Sequence, residues 1–126
     1  MNAKTNQRFP PRLRIRRHAE FARVMREGRR GGDRRLLLWV LPNGRAYTRL
    51  GLVVGRRHGN AVARNRLKRL LREAFRLSRD KLPPGFDIAC APRAGTPLDL
   101  PGARESLVRV TRRLARDAHS TRGGRP

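Results

Sequence analysis

The apolar residues of this chain fall into some runs with strand-like spacing and others with helical spacing. Three short apolar runs, set off by turn residues such as glycine and proline, predict strands over 34–41, 48–55 and 86–93. We expect the second strand to run antiparallel to the first. The first strand is apolar on both of its faces, so each face needs a covering partner.

Helical spacing begins near the N-terminus. Phe21, Val24 and Met25 stand at i, i+3 and i+4, and Gly28 is a natural stop. This pattern predicts a short amphipathic helix over roughly 17–27.

The most regular helical pattern lies in the middle of the chain, over 61–79. Apolar residues recur there at i, i+3, i+4, i+7 and i+8 and form one stripe: Leu67, Leu70, Leu71, Ala74 and Phe75. Asn60 is the predicted N-cap, and Pro83 lies just beyond the end of the helix. At the standard rise such a helix is roughly 28 Å long.

The remaining segments complete the order α, β, β, α, β, α. A last helix is predicted over 103–118, the segment 28–33 is interpreted as a flexible basic loop, and a short extra strand is placed near 55–58. This order favours the α+β class, with three helices on a small mixed sheet of about four strands, packed as a two-layer sandwich.

The length of the chain fits one compact domain, which we place over 13–118, with a basic arm over 1–12 and a loose tail over 119–126. Cys90 is its one cysteine, so no intrachain disulfide is predicted. No apolar run reaches transmembrane length, and the N-terminus lacks the apolar core of a signal peptide. These features predict a cytoplasmic protein without a membrane partner.

The charge balance of the chain is extreme. Lys and Arg together number 32 against 9 Asp and Glu, which gives a net charge of +23. Repulsion at this level opposes compaction and predicts a polyanionic partner. Most of the cations are arginine, whose planar donor fork suits phosphate oxygens. A biased codon usage explains arginine over lysine equally well, but it does not explain the excess of basic over acidic residues.

The central helix concentrates this charge on one side. Opposite its apolar stripe lie Asn65, Arg66, Lys68, Arg69, Arg72, Arg76 and Arg79. The acid on that arc is Glu73, and like charges at i, i+3 and i+4 repel each other. A solvated face is the simpler interpretation, but such faces usually mix signs, so a face that binds a polyanion is favoured. Arg56 and Arg57 precede the helix start, where the helix dipole adds positive charge.

The segment GNAVARNRLKRLLREAFR, residues 59–76, resembles the signature of the bacterial ribonuclease P protein subunit, and RLGLVVGRR before it and DIACAPR after it fit the same family. The resemblance covers roughly 13–118. It implies that a large RNA cleaves precursor tRNA, with Mg²⁺ held mainly by RNA, while the protein is an accessory subunit that binds this RNA and the single-stranded 5′ leader. It also implies a left-handed βαβ crossover, whereas pattern alone favours the ordinary right-handed one.

The same resemblance implies which residues touch RNA. For the catalytic RNA they are Asn60, Arg64, Asn65, Arg66, Lys68, Arg69 and Arg72, and Arg76 continues the same face. The leader is implied to lie in a cleft between the sheet and the first helix, whose candidate contacts are Phe21, Met25, Trp39, Arg56, Arg57 and Arg93. Aromatic rings beside cations hold single-stranded RNA in many proteins. Core packing explains Phe21 and Met25 equally well, and methionine stacks poorly where many family members carry an aromatic ring.

Three other classes share part of this pattern. A structural RNA-binding protein, such as a ribosomal protein, would share the size and charge but needs no aromatic-lined groove. A DNA-architectural protein fits less well, because cations spread along a whole helix face suit backbone contact better than base reading. A self-sufficient enzyme is disfavoured, because the acids are scattered and His18, His58 and His119 lack metal-ligand spacing. We therefore predict no catalytic residue, no metal ligand and no required protein partner.

Overall fold

The computed structural model describes the backbone of residues 10–124 and the side chains of residues 10–117, so most of the predicted arm over 1–12 lies outside the described residues. This part of the chain contains three helices, α1 (His18–Glu27), α2 (Ala61–Ser78) and α3 (Leu100–Gly124), and four strands, β1 (Arg29–Gly32), β2 (Leu36–Pro42), β3 (Arg49–Leu52) and β4 (Phe86–Pro92). The predicted α+β class is confirmed. None of the helices within the described range combines the length and hydrophobicity of a membrane-spanning segment.

The four strands form one mixed sheet in the order β1-β2-β4-β3. β2 pairs antiparallel with both β1 and β4, whereas β3 pairs parallel with β4. The β3 strand therefore runs antiparallel to β2, as predicted, but β4 lies between them. The β3–α2–β4 segment is the predicted βαβ unit, since β3 and β4 are parallel neighbours joined through a helix.

The connection from β2 to β3 crosses the end of β4, and Asn43 fixes it there. Its Nδ2 donates to Asp87 Oδ1 at 2.8 Å and to the Tyr47 carbonyl at 3.2 Å, and its backbone N–H donates to the Gly85 carbonyl at 2.9 Å. Its Oδ1 accepts from the Arg45 N–H at 2.8 Å. Because both polar ends of the side chain are bonded, the crossing is held in one conformation.

The segment predicted as a flexible basic loop instead forms the edge strand β1. The turn from β1 to β2 is closed by Asp33, whose Oδ1 accepts from the backbone N–H groups of Arg35 and Leu36 at 2.8 and 2.9 Å. Gly31 lies close under α3, because a Cβ there would stand 2.9 Å from a methyl group of Leu114, which would have to shift. The prediction was wrong because this strand depends on pairing with β2 and on packing under α3, and its own sequence carries no apolar pattern.

The extra strand predicted near 55–58 is instead a 3₁₀ turn at Arg56–His58. Both ring nitrogens of His58 hold this turn. Nδ1 accepts from the Gly55 N–H at 3.0 Å, so Nε2 carries the proton and donates to the Pro92 carbonyl at 2.7 Å. The turn is thereby attached to the end of β4 and leads into α2.

α3 extends beyond both predicted ends. It begins at Leu100 because Asp99 caps it, with Asp99 Oδ1 accepting from the Gly102 N–H at 2.8 Å. Pro101 lies in the first turn, where a missing N–H loses no helical hydrogen bond. The helix continues to Gly124, into the segment that the sequence analysis described as a loose tail from 119.

The two faces of the sheet are covered unequally. α2 and α3 cover one face over a continuous apolar core, whose fully buried side chains include Leu36, Leu38, Leu71, Phe75, Ile88 and Leu107. α1 covers part of the other face over a smaller cluster, in which Ile15, Val24 and Ala89 are buried. The predicted two-layer packing holds for the sheet with α2 and α3, and α1 adds a partial layer on the opposite side.

Candidate RNA interface

The apolar side of α2 fixes the helix on the sheet. Leu71, Ala74 and Phe75 are buried, as predicted, whereas Leu67 and Leu70 nearer the N-terminus are half-buried. The main attachment of α2 therefore lies in its C-terminal half.

Two residues build the start of α2. Asn60 is the N-cap, as predicted, and its Oδ1 accepts from the Ala63 N–H at 2.9 Å. Gly59 precedes it with a φ of 112°, and a Cβ there would stand 2.9 Å from that of Ala63, so only glycine fits. The cap occupies Oδ1 of Asn60 and leaves its amide NH₂ for a ligand.

The outer face of α2 carries cations that the protein does not neutralise. Among the described residues, no carboxylate forms an ion pair with Arg64, Arg66, Lys68, Arg69 or Arg72. Asn65, Arg66 and Arg69 are exposed, and the other three cations are half-buried. Such like-charged neighbours on one helix destabilise it unless an anion offsets them.

Arg72 shows most clearly that this charge is unbalanced. Burial, and then the nearby charge of Arg14, lower the pKa of Arg72. Arginine keeps its proton in proteins, so the fold holds two positive charges close together. A bound polyanion would relieve this repulsion.

Arg76 differs from the other predicted contacts because it is ion-paired within α2. Its guanidinium donates to the two carboxylate oxygens of Glu73 at 3.0 and 2.6 Å. This hydrogen bond, against the opposing effect of burial, lowers the pKa of Glu73 and raises the pKa of Arg76. Part of the charge of Arg76 is therefore already offset.

Sequence reasoning missed the arginines that precede α1. Three exposed arginines alternate there with two buried apolar residues: Arg12, Leu13, Arg14, Ile15 and Arg16. The Ile15 N–H donates to the Leu50 carbonyl at 3.0 Å, which joins the segment to β3 and brings Arg14 near Arg72. The strand-like alternation of arginine with apolar residues is the signal that would have found it.

The second predicted surface lies on the sheet face that α1 partly covers. The strand register puts Gly51 of β3, Ala89 of β4 and Trp39 of β2 in one row across the sheet. The Phe21 ring lies directly over Gly51, since a Cβ there would stand 3.2 Å from it. Phe21 and Trp39 pack around the same buried cluster, and both remain partly exposed.

Phe21 and Met25 differ in exposure. Met25 is 37% exposed, whereas Val24 beside it is 1% exposed. Met25 is therefore not part of the buried core, and its contact with RNA stays a prediction. Phe21 does pack against the core, and it also keeps a solvent-facing part.

The three predicted leader cations lie near the end of β4. Arg56 and Arg57 are exposed in the 3₁₀ turn that is attached to the Pro92 carbonyl, and Arg93 directly follows Pro92. Arg93 Nε donates to the Asp33 carbonyl at 3.0 Å, which leaves the rest of its guanidinium for a ligand. The fold thus gathers these cations at one end of the sheet.

The carboxylates of the described residues do not offer a metal site. No group of three or more Asp, Glu, His or Cys side chains in that part of the chain is arranged to hold an ion. Those that form ion pairs with arginines are Glu20, Glu27, Asp33, Glu73, Asp87 and Glu105.

Comparison with known proteins decides the family. The family model described as Ribonuclease P matches residues 9–116. The chain belongs to the ribonuclease P protein family. The ribonuclease P protein component of Desulfovibrio desulfuricans is 42% identical over 113 residues, which cover 86% of this chain and 87% of that protein. That of Thermotoga maritima is 35% identical over 111 residues, which cover 84% and 95%.

Solved structures of ribonuclease P proteins share the fold. The protein from Thermotoga maritima matches with a TM-score of 0.73 at 35% identity, over 79% of this chain and 96% of that one. The protein from Staphylococcus aureus matches with a TM-score of 0.69 at 28% identity, over 82% and 94%. The resemblance seen in the signature is confirmed. The protein is an accessory subunit of an RNA-based endoribonuclease and acts in tRNA processing, which sets aside the ribosomal and DNA-architectural alternatives.

Proposed function

We propose that the outer face of α2 binds the ribonuclease P RNA and that the α1 side of the sheet holds the 5′ leader of precursor tRNA. Ribonuclease P protein components work with ribonuclease P RNA, so a large polyanion is the expected partner. The proposed contacts to that RNA are Asn60, Arg64, Asn65, Arg66, Lys68, Arg69, Arg72 and Arg76. The proposed contacts to the leader are Phe21, Met25, Trp39, Arg56, Arg57 and Arg93.

We assign RNA binding to α2 because its outer face carries positive charges that the protein does not compensate. The fold holds Arg72 near Arg14 and leaves the cations of the first three turns without carboxylate partners in the described range. Phosphate oxygens match the donor forks of arginine, and Asn65 and the amide of Asn60 add neutral donors between the charges. Contacts of this kind position an RNA by its backbone.

The leader assignment is supported by partly exposed rings next to a group of cations. Trp39 and Phe21 share one sheet face, Met25 is exposed on the covering helix, and the exposed arginines stand at one end of the sheet, near the end of β4. Stacking of a base on an aromatic ring is worth about 1–3 kcal/mol and tolerates any sequence. That tolerance suits a leader whose sequence differs from one tRNA to the next.

This division leaves the chemistry to the RNA. Mg²⁺ is assigned to RNA phosphates, and the protein side chains bind and orient the two RNA strands. We place the protein in the cytoplasm, where precursor tRNA is made, and treat residues 13–118 as one RNA-binding domain that needs no protein partner. Cleavage of precursor tRNA at low Mg²⁺ by the purified protein with a bacterial ribonuclease P RNA tests this directly, and a requirement for a further protein would contradict it.

The test of the α2 face is the double variant Arg66→Ala/Arg69→Ala, which removes two exposed cations. We expect weaker binding to ribonuclease P RNA and a plot of log affinity against log salt whose slope falls by roughly 1.4–1.8, because each phosphate contact contributes about 0.7–0.9. The matched control is Arg23→Ala/Arg26→Ala on α1, which removes the same charge. The slopes are measured without precursor tRNA. Equal slopes for the two variants would show that the outer face of α2 does not contact the ribonuclease P RNA.

The test of the leader surface is Trp39→Ala in the assembled particle. We expect affinity for leader-bearing precursor to fall by about tenfold, within the range of one lost stack, while affinity for mature tRNA is unchanged. Trp39→Phe keeps a ring and should recover most of the difference. Losses of the same size for both tRNAs would count against this surface.

A further inference from the structure

A second cationic surface lies at the other end of α2. A groove of about 780 Å³ runs between the C-terminal end of α2 and the outer side of α3. The charged residues that line it are Lys81, Arg104, Glu105, Arg109, Arg112, Arg113 and Arg116. The lining therefore has six cations against one acid, and the proposed function leaves it without a ligand.

Two of these arginines serve the fold. Arg104 donates to Ser78 Oγ and to the Leu77 carbonyl, each at 3.2 Å, and Arg112 Nε donates to the Lys81 carbonyl at 2.9 Å. The carbonyls at a helix C-terminus lack partners within the helix and carry partial negative charge. Arg104 satisfies a carbonyl in the last turn of α2, and Arg112 satisfies one in the 3₁₀ turn that follows it, so their positions have a structural cause.

Arg113 also bonds within the fold, since it donates to the Gly32 carbonyl at 3.4 Å, but Lys81 and Arg116 are not explained in this way. Arg109 is ion-paired with Asp33 and Glu105, so its charge is offset. Lys81 and Arg116 are exposed and have no carboxylate partner among the described side chains. Because the chain already carries a net charge of +23, each uncompensated cation adds repulsion that the fold itself does not require.

We propose that this groove binds a second segment of the ribonuclease P RNA backbone, apart from the segment bound by the outer face of α2. The inference rests on the proposed function of α2. The cations extend along α3 from residue 104 to residue 116, about 18 Å at the standard rise, which spans several phosphates of one strand.

The groove begins at Ser78, about 14 Å along α2 from Arg69, an exposed cation of the outer face. It continues along α3 as far as Arg116, so the two sets of cations lie on different helices. The geometry therefore points to two RNA segments, one against the outer face of α2 and one in the groove.

Cleavage by a tethered iron–EDTA reagent tests this placement. Cys90 is fully buried, and burial raises the pKa of its thiol to about 12, so it does not react and wild type treated with the reagent is the control. We expect the reagent on Arg66→Cys to cut one RNA segment and the reagent on Lys81→Cys or Arg116→Cys to cut another. The second site is overturned if only the reagent on residue 66 cuts the RNA. It is also overturned if the reagent cuts the same RNA segment from all of these positions. Binding without any cutting from residue 66 overturns the proposed role of α2 instead.

Salt dependence gives an independent measure on the same RNA. Lys81→Ala/Arg116→Ala should lower the slope by roughly 1.4–1.8, as two lost phosphate contacts require. The control Arg23→Ala/Arg26→Ala has the same net charge and should keep the slope near that of wild type. A groove variant that matches this control would show that the groove does not contact the RNA backbone, and the proposal is then wrong.

Discussion

The two faces of the sheet are stabilised by different kinds of contact. Under α2 and α3 the contacts are apolar, and side chains such as Phe75 and Ile88 are fully buried. On the α1 side the apolar cluster is small, and a buried ion pair lies beside it. Arg49 donates to both carboxylate oxygens of Asp87 at 2.9 and 2.7 Å and to Glu20 of α1 at 3.2 Å.

This difference separates stability from binding. A face that is sealed by two helices supplies most of the apolar burial but has no free surface. The α1 face is only partly covered, so Trp39 and Met25 stay available, and the ion pair supplies an attachment that does not need a large apolar area. The hydrogen bond to Asp87, against the opposing effect of burial, raises the pKa of Arg49, as expected for a tight pair.

The largest expected loss of stability comes from a substitution on the sealed face, the face covered by α2 and α3. Phe75→Ala should lower the free energy of unfolding by about 3–5 kcal/mol, because it leaves a cavity in a fully buried site. Val62→Ala on the same helix changes a side chain that is 73% exposed, and its effect should stay within about 0.5 kcal/mol. Urea unfolding measures both. Similar values for the two variants would show that α2 is not attached through its apolar side.

The next effect is on the α1 face. Asp87→Ala should lower the free energy of unfolding by about 3 kcal/mol, since it leaves Arg49 buried with Glu20 as its remaining acid. The double variant Arg49→Met/Asp87→Leu should be more stable than Asp87→Ala, because no buried charge is left unpaired. A loss below about 1 kcal/mol for Asp87→Ala, as at a surface pair, would refute the contrast between the faces.

The smallest expected effect is a pH dependence of stability, which arises from Asp33 at the rim of the sealed face. Burial raises the pKa of Asp33, but hydrogen bonds from Ser106 and from the Leu36 and Arg35 N–H groups, with the charge of Arg109, outweigh it and the pKa is lowered. The resulting stability is complete above about pH 4, the unfolded value, and is lost as the pH falls through the lower folded value.

Asp33→Asn removes this titration and is the variant to compare. Its free energy of unfolding should be lower than that of wild type at neutral pH, and the difference should shrink as the pH falls below about 4. Urea unfolding across this pH range measures the difference. A constant difference at all pH values would show that Asp33 acts through its hydrogen bonds and not through its charge.

The parts of the fold that were predictable are those that local sequence determines. The stripe through Leu71 and Phe75 fixed the position of α2, and the oxygen of Asn60 fixed its start. The strand period of β2 also predicted correctly that neighbouring side chains point to opposite faces. Leu38 lies on the face covered by α2 and α3, and Trp39 lies on the α1 face. These patterns repeat at the period of one element, so one sequence is enough to find them.

The parts that were missed depend on contacts between distant segments. β1 is a strand because β2 and α3 make it one, and Arg14 reaches Arg72 because its segment is bridged to Leu50. Whether Glu73 offsets the positive charge of Arg76 depends on which rotamer Glu73 adopts. Helical spacing makes these two side chains neighbours, but it does not decide whether they pair.

The edges of the sheet have a consequence for the protein when it is alone. β1 forms one edge and carries exposed Arg29 and Arg30, and the other edge, β3, is bridged in part by Arg14. Unpaired strand edges are where copies of a protein add to one another and aggregate. Two copies that met along β1 would bring guanidinium groups face to face, so the excess of positive charge that suits the chain to RNA also opposes its pairing with itself at this edge.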